Sequence, residues 1–195
     1  RDVVITDSQG EITIQDDDQA RILLNDLTVN EDVGNAQVIV TLDQPVDTSI
    51  TVNYSLYDRS TNDSDDFIGQ FTVNTITFNP GEVQKTISIP IVDSANVETT
   101  ESFYLILSGL EASGRDVLIP EDTIEVTILD DDQARISIND VTVDEDAGTA
   151  MLTVTLDQLV DGQISIDYTT SDQTAGSPED YQATSGTLII NSRDL

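Results

Sequence analysis

One heptapeptide occurs twice in the chain at a spacing of 114 residues, and this spacing sets the length of each folding unit. Asp-Asp-Asp-Gln-Ala-Arg-Ile is found at residues 16–22 and again at 130–136. Without gaps, 10 of 18 residues are identical between 1–18 and 115–132, and 22 of 40 between 19–58 and 133–172. Solenoid repeats have periods of about 20–50 residues. The longer period therefore predicts a tandem array of whole domains.

The period divides the 195 residues into three parts. Residues 1–18 are predicted to be the final strand of a preceding repeat. Residues 19–132 form one complete repeat, which is long enough to bury a core of its own. Residues 133–195 are the N-terminal part of a following repeat whose last strands are missing. Since unpaired sheet edges pair readily with other chains, strand exchange between the incomplete end repeats is one expected route to self-association.

Short segments rich in Val, Ile and Thr alternate apolar and polar residues with a period of two, which is typical of half-buried strands. Val38, Val40 and Leu42 share one face of such a strand, and Ile87 and Ile89 share a face of another. Turn-forming Gly, Pro, Asn and Asp residues separate the segments. Seven strands in about 110 residues predict an all-β fold, an antiparallel β-sandwich.

The charge of the chain narrows its partners. The formal net charge is −31, from 38 acidic and 7 basic residues. Such a chain lacks the basic surface that binds nucleic acid or anionic lipid, and no apolar run approaches the roughly 20 residues of a membrane span. No cysteine or histidine is present. The sequence therefore predicts no thiolate zinc site, and it makes an enzyme the least favoured class.

Acidic residues are concentrated in alternate loops of the predicted sandwich. Because strands reverse direction at each turn, loops one, three and five and the end of the last strand lie at one end, here called the acidic pole. These segments contain Glu31 and Asp32, then Asp63, Asp65 and Asp66, then Asp93, Glu98 and Glu101, and finally Asp130, Asp131 and Asp132. Two unit charges 4 Å apart repel by roughly 4 kcal/mol at an effective dielectric constant of about 20. A calcium ion, which accepts about six to eight oxygens in irregular geometry, would offset this repulsion.

Several ordered motifs resemble those of tandem Calx-β domains. They are Val29-Asn30-Glu31-Asp32 with its counterpart Val143-Asp144-Glu145-Asp146, Phe78-Asn79-Pro80-Gly81-Glu82, and Val126 to Asp132. The resemblance implies an immunoglobulin-like sandwich of seven strands that binds Ca²⁺ at the acidic pole. The ligands that it implies in the complete repeat are Glu31, Asp66, Asp93, Glu98, Glu101, Asp130, Asp131 and Asp132.

Two departures bear on the number of ions. The strongest calcium-binding members of the family continue Asp-Asp-Asp where this chain has Asp93-Ser94-Ala95. The sequence therefore leaves the ion count and the affinity open. In the following repeat only Glu145 and Asp180 match ligand positions, so no complete site is expected there.

Three functions remain after the resemblance is considered. The favoured interpretation is a calcium-binding structural repeat that stiffens a tandem array in a large extracellular or cell-surface protein of the adhesion type. Its partners would be calcium ions and neighbouring repeats of the same chain, with no nucleic acid and no direct membrane insertion. The alternatives are a regulatory calcium sensor of a membrane transporter or signalling protein, and a metal-free acidic spacer.

Overall fold

The computed structural model describes residues 1–60, 66–68 and 71–192. The strands of the complete repeat are β1 (Ala20–Leu23), β2 (Leu27–Asn30), β3 (Asn35–Leu42), β4 (Ile50–Asp58), β5 (Asn74–Phe78), β6 (Gln84–Pro90), β7 (Glu101–Glu111), β8 (Val117–Leu118) and β9 (Thr123–Leu129). Those of the following repeat are β10 (Ile136–Ile138), β11 (Val154–Leu156), β12 (Ile164–Thr169) and β13 (Ser185–Ile190). Within the described residues there is no α-helix, and two 3₁₀ turns, Glu31–Val33 and Glu145–Ala147, are present.

The complete repeat is a sandwich of two sheets. One sheet has the order β6-β3-β1-β8 and the other has the order β2-β9-β7-β4-β5. The alternating apolar residues of both sheets point into one buried core, as the period of two predicts. Phe67, Phe78, Phe103, Ile22 and Ile50 are among its fully buried side chains. The predicted all-β sandwich is confirmed.

The complete repeat has nine strands where the sequence predicted seven, and two of its strand pairs, β1 with β8 and β2 with β9, are parallel and not antiparallel. The first two strands are split between the sheets, so that β1 belongs to one sheet and β2 to the other. A short strand that the sequence did not predict, β8, pairs in parallel with β1 through Ala20↔Val117 and Arg21↔Leu118. Pro90, which cannot donate a backbone hydrogen bond, lies at the end of the edge strand β6, where the missing donor is tolerated.

The two ends of the chain have much less structure. Residues 1–19 contain no strand, and apolar side chains such as Ile12 and Ile14 are about nine-tenths exposed. The following repeat forms two separate two-stranded sheets, β10-β11 and β12-β13. The assignment of residues 1–18 to a preceding repeat and the strand exchange between end repeats stay predictions. None of the described segments is a helix long and apolar enough to cross a membrane.

Candidate metal site

Parallel pairing of β2 with β9, the last strand of the complete repeat, builds one side of the acidic pole. β2 and β9 run side by side with Asn30 opposite Leu129. The next residue of each strand is acidic, so Glu31 and Asp130 leave the same end of the sheet together. Glu31 then enters a 3₁₀ turn that ends at Gly34, whose φ of 72° lets the chain reverse into β3.

Three further segments supply the other side. Glu101 begins β7 and pairs with Ile128 near the end of β9. Asp66 is held by its backbone, since its carbonyl oxygen accepts a hydrogen bond from the amide of Val92 at 2.9 Å. The adjacent Phe67 is buried in the core and bridges Ile91. Asp93 directly follows Val92, so this hydrogen bond brings the segments that contain Asp66 and Asp93 together at the pole.

The carboxylates at the pole are close enough to share ions. Glu31, Asp130 and Asp132 offer oxygens that lie within 4.8 Å of one another, and so do Glu31, Asp93 and Asp131. Two ligands of one calcium ion lie at most about 5 Å apart, because each is about 2.4 Å from the ion. Glu31 belongs to both groups, as a carboxylate that bridges two ions does.

The structure brings all eight predicted ligand residues to this pole. A small cavity is lined by Glu31, Asp66, Glu98, Glu101 and Asp130 together with apolar side chains. Asp93, Asp131 and Asp132 join through the two groups around Glu31. Their roles as ligands stay predictions. Asp63 and Asp65, which the loop pattern also assigned to this pole, lie outside the described residues.

The pole contains buried oxygens that have no partner within the protein. Glu31 is only 3% exposed, and its Oε1 atom accepts no hydrogen bond, while the amide of Ser94 donates to its carboxylate. Asp130 Oδ1 and Asp132 Oδ2 are likewise buried and unpaired. A buried, unpaired carboxylate oxygen is costly, and a cation among these oxygens would remove the cost. The donor set is made of oxygen only, so it fits a hard cation such as Ca²⁺.

Burial and crowding shift the titration of these groups in one direction. Burial, and then the charges of Asp130 and Asp132, raise the pKa of Glu31 to about 7. Burial, and then a hydrogen bond with Asp66, raise the pKa of Glu101 to about 8. Burial is also the main reason that the pKa of Glu98 is raised. Without a cation, the pole therefore holds protons that ordinary carboxylates release.

These shifts predict that the calcium-free protein becomes less stable as pH rises from about 5 to about 8. A group whose pKa is higher in the folded state favours folding below its unfolded value, and that contribution is lost as pH rises through the folded value. For Glu31, whose pKa rises from 4.5 to about 7, the loss is roughly 2–3 kcal/mol. Urea unfolding of residues 19–132 in EDTA at several pH values measures it. Saturating calcium competes with the protons and should remove this trend, whereas a rise in calcium-free stability over the same range would contradict the prediction.

Residues outside the predicted ligand set also contribute to the pole. The Ser94 amide is a backbone group and leaves no sequence signal, although Ser94 lies directly after Asp93. The charge of Asp161, in the following repeat, acts on Glu98 and Glu101. Its counterpart 114 residues earlier is Asp47, in a loop of the opposite pole, and this relation could have identified it. Glu145 is exposed, and Asp180 accepts a hydrogen bond from the amide of Gly176.

Fold and site together define a class: tandem β-sheet repeats, of which the complete one is a sandwich, with a cluster of carboxylates where one repeat meets the next. The family model of the Calx-beta domain matches this chain twice, over residues 14–132 and 133–192. The chain belongs to the Calx-beta domain family, which confirms the resemblance noted in the sequence. Calcium is the ion that domains of this family bind.

Relatives and solved structures agree with this membership. The chain is 28% identical over 172 residues to the sodium/calcium exchanger Calx of Drosophila melanogaster, covering 86% of this chain and 18% of the exchanger. It is 31% identical over 166 residues to sodium/calcium exchanger 1 of Bos taurus, covering 75% of this chain and 17% of the exchanger. This chain thus spans less than a fifth of either protein.

Among solved structures, the apo-form Calx CBD1 domain superposes with a TM-score of 0.52 at 27% identity, covering 59% of this chain and all of that one. The tandem CBD12 from CALX1.2 superposes with a TM-score of 0.51 at 25% identity, covering 89% of this chain and 72% of that one. The second match extends over both repeats. The immunoglobulin-like sandwich that the resemblance implied is confirmed.

Proposed function

We propose that this chain is a calcium-binding structural repeat that holds Ca²⁺ at the acidic pole of its complete repeat. The observation that carries the proposal is Glu31, a buried carboxylate that belongs to two groups of ligand oxygens and has an unpaired Oε1 atom. The proposed ligands are the eight carboxylates Glu31, Asp66, Asp93, Glu98, Glu101, Asp130, Asp131 and Asp132. The role is non-catalytic.

The position of the site supports a mechanical role in the array. Residues 130–135 form no strand and connect β9 directly to β10, so the ions would lie at the joint between repeats. Cations there neutralise the pole and restrict the angle between neighbours. We place the array in an extracellular or cell-surface protein of the adhesion type, where calcium is abundant. Extracellular calcium modules bind at about 10⁻⁴–10⁻³ M, which suits a site that is always occupied.

Calcium titration of paired variants tests the proposal. Asp122 and Asp130 lie just before and just after β9, so they are the same residue type at opposite ends of one strand. Calorimetry on residues 19–132 should show calcium binding that Asp130→Asn weakens by about tenfold or more, since ligand charge tunes calcium affinity. Asp122→Asn, which removes the same charge at the other pole, should bind as the parent does. Equal binding by both variants, or no binding by the parent, refutes the proposed site.

The comparisons favour a second candidate, a regulatory calcium sensor. The relatives named above are sodium/calcium exchangers, and the tandem structures superpose over both repeats. In such a sensor, calcium would change an angle between repeats that another module reads. Affinity separates the two functions: submicromolar binding supports the sensor, and millimolar binding supports the permanently loaded array. If monovalent salt stabilises the chain as well as calcium does at equal ionic strength, the metal-free spacer is favoured.

A further inference from the structure

A loop of the following repeat is hydrogen-bonded to the acidic pole. The amide of Val97 donates to the carbonyl of Leu159 at 2.9 Å, and the amide of Asp161 donates to the carbonyl of Val97 at 2.8 Å. Val97 and Val160 thereby form a parallel bridge between the repeats. Val97 immediately precedes Glu98, one of the carboxylates of the cavity. The bridge therefore places Asp161 beside the site from outside the complete repeat.

The complete repeat contains the counterpart of this loop, between β3 and β4. There, Gln44 and Asp47 are exposed, whereas their counterparts Gln158 and Asp161 are partly buried. Asp47 also forms an ion pair, since the Arg115 guanidinium donates two hydrogen bonds to its carboxylate, at 2.6 and 2.8 Å. Asp161 instead accepts a hydrogen bond from the Ser192 hydroxyl at 3.1 Å. In the described part of the chain, no ion pair involves Asp161.

The junction thus collects negative charge and unpaired oxygens. The charge of Asp161 contributes to the raised pKa values of Glu98 and Glu101, so these carboxylates lie within electrostatic reach of one another. On the same loop, the Oε1 atom of Gln158 is buried and has no hydrogen-bond partner. Within the acidic pole, the Oε1 atom of the buried Glu31 also has no hydrogen-bond partner. The backbone bridge holds these like charges close together, and a cation bound between them would offset their repulsion.

We propose that the cation at the acidic pole of the complete repeat attracts the Asp161 carboxylate of the following repeat. Calcium would thereby hold the two repeats together, an arrangement here called the clasp. The proposal rests on the proposed function. It adds that both repeats contribute to the site, because the negative charge around the ion includes that of a residue outside the complete repeat. Calcium lowers the negative charge of the pole and places a local positive charge near Asp161, which offsets the repulsion between them.

The test uses the full chain of residues 1–195, with calcium as the only ligand. Asp161→Asn is compared with Asp146→Asn, which removes an equal charge from an exposed site in the 3₁₀ turn of the same repeat. By calorimetry, Asp161→Asn should weaken calcium binding about fivefold, the scale of one carboxylate acting on a divalent ion across partly solvated space. Asp146→Asn should leave the affinity unchanged.

The geometry of the junction gives a second readout. Because the chain has no cysteine, Thr86→Cys and Ser165→Cys place one spin label on each repeat, both at exposed positions. Calcium should narrow the distribution of distances between the labels in the parent and narrow it less in Asp161→Asn. In EDTA, Asp161→Asn should give a distribution at least as narrow as that of the parent, since one repelling charge is gone.

The outcomes separate the two proposals. If the parent binds calcium and both variants match it in affinity and in distances, the clasp is refuted while the calcium site stands. If Asp161→Asn broadens the distribution in EDTA, Asp161 is only a structural contact of the junction and the clasp is again refuted. If the parent binds no calcium, the proposed function fails and the clasp fails with it.

Discussion

Replacing Glu31 by Gln is expected to stabilise the calcium-free protein and to remove most of the stabilisation that calcium gives. At pH 8 the buried Glu31 carboxylate is ionised against its raised pKa of about 7. A neutral amide of the same shape avoids that cost, which is roughly 3 kcal/mol. Glu31 also belongs to both groups of ligand oxygens, so its loss affects each ion. A bound ion contributes about 2.7 kcal/mol per site at a concentration 100 times its Kd.

Urea unfolding of residues 19–132 at pH 8, in EDTA and in saturating calcium, measures both effects. The parent should gain stability with calcium, and Glu31→Gln should begin higher and gain little. Glu121→Gln is the matched control, because Glu121 is exposed in the loop before β9. Its stability should follow the parent in both conditions. A loss of calcium-free stability in Glu31→Gln would show that the carboxylate has a partner that the structure lacks.

Replacing Phe67 by Ala is expected to cost about 3–5 kcal/mol of stability, the range for a buried aromatic side chain, and to weaken calcium binding as well. Phe67 is 1% exposed, and its ring stacks on that of Phe103 with centroids 4.1 Å apart. The same residue fixes its neighbour Asp66, whose carbonyl accepts the amide of Val92. Loss of the ring would therefore release one side of the site along with part of the core.

Phe71→Ala is the control for this substitution, since Phe71 is 66% exposed and makes an edge contact with Tyr57. Its cost should stay within about 1 kcal/mol, as is usual for surface changes. Thermal unfolding and calcium calorimetry on residues 19–132 report the two properties separately. If Phe67→Ala lowers stability but binds calcium with the parent's affinity, Asp66 does not depend on the core for its position.

The repeat and the alternation of apolar residues were enough to predict the sandwich and its core. Val38, Val40 and Leu42, for example, face inward as their spacing indicates. The acidic pole was predicted from loop order alone, because each turn reverses the chain and so assigns every second loop to one end. These regularities depend only on the pattern within each segment and on the order of the segments along the chain.

Features that depend on two distant segments at once could not be predicted. β8 has only two residues, and it is a strand because Ala20 and Arg21 lie beside it. The break between β1 and β2 can be read from the sequence, but their membership of different sheets depends on the pairing of β1 with β3 and of β2 with β9. The contact of Asp161 with the pole depends on how two repeats meet. Tertiary packing therefore decides these details, while local patterning decides the fold.

The parallel pairing of β2 with β9 has a consequence for a chain under tension. The chain enters the repeat through β1 and β2 and leaves it through β9, and four residue pairs from Leu27↔Val126 to Asn30↔Leu129 join these strands. A pull along the array draws the two strands past each other in shear. All four pairs must then break together, whereas an antiparallel hairpin pulled at its open end unzips one pair at a time. The strand arrangement that assembles the acidic pole also makes each repeat a mechanical lock.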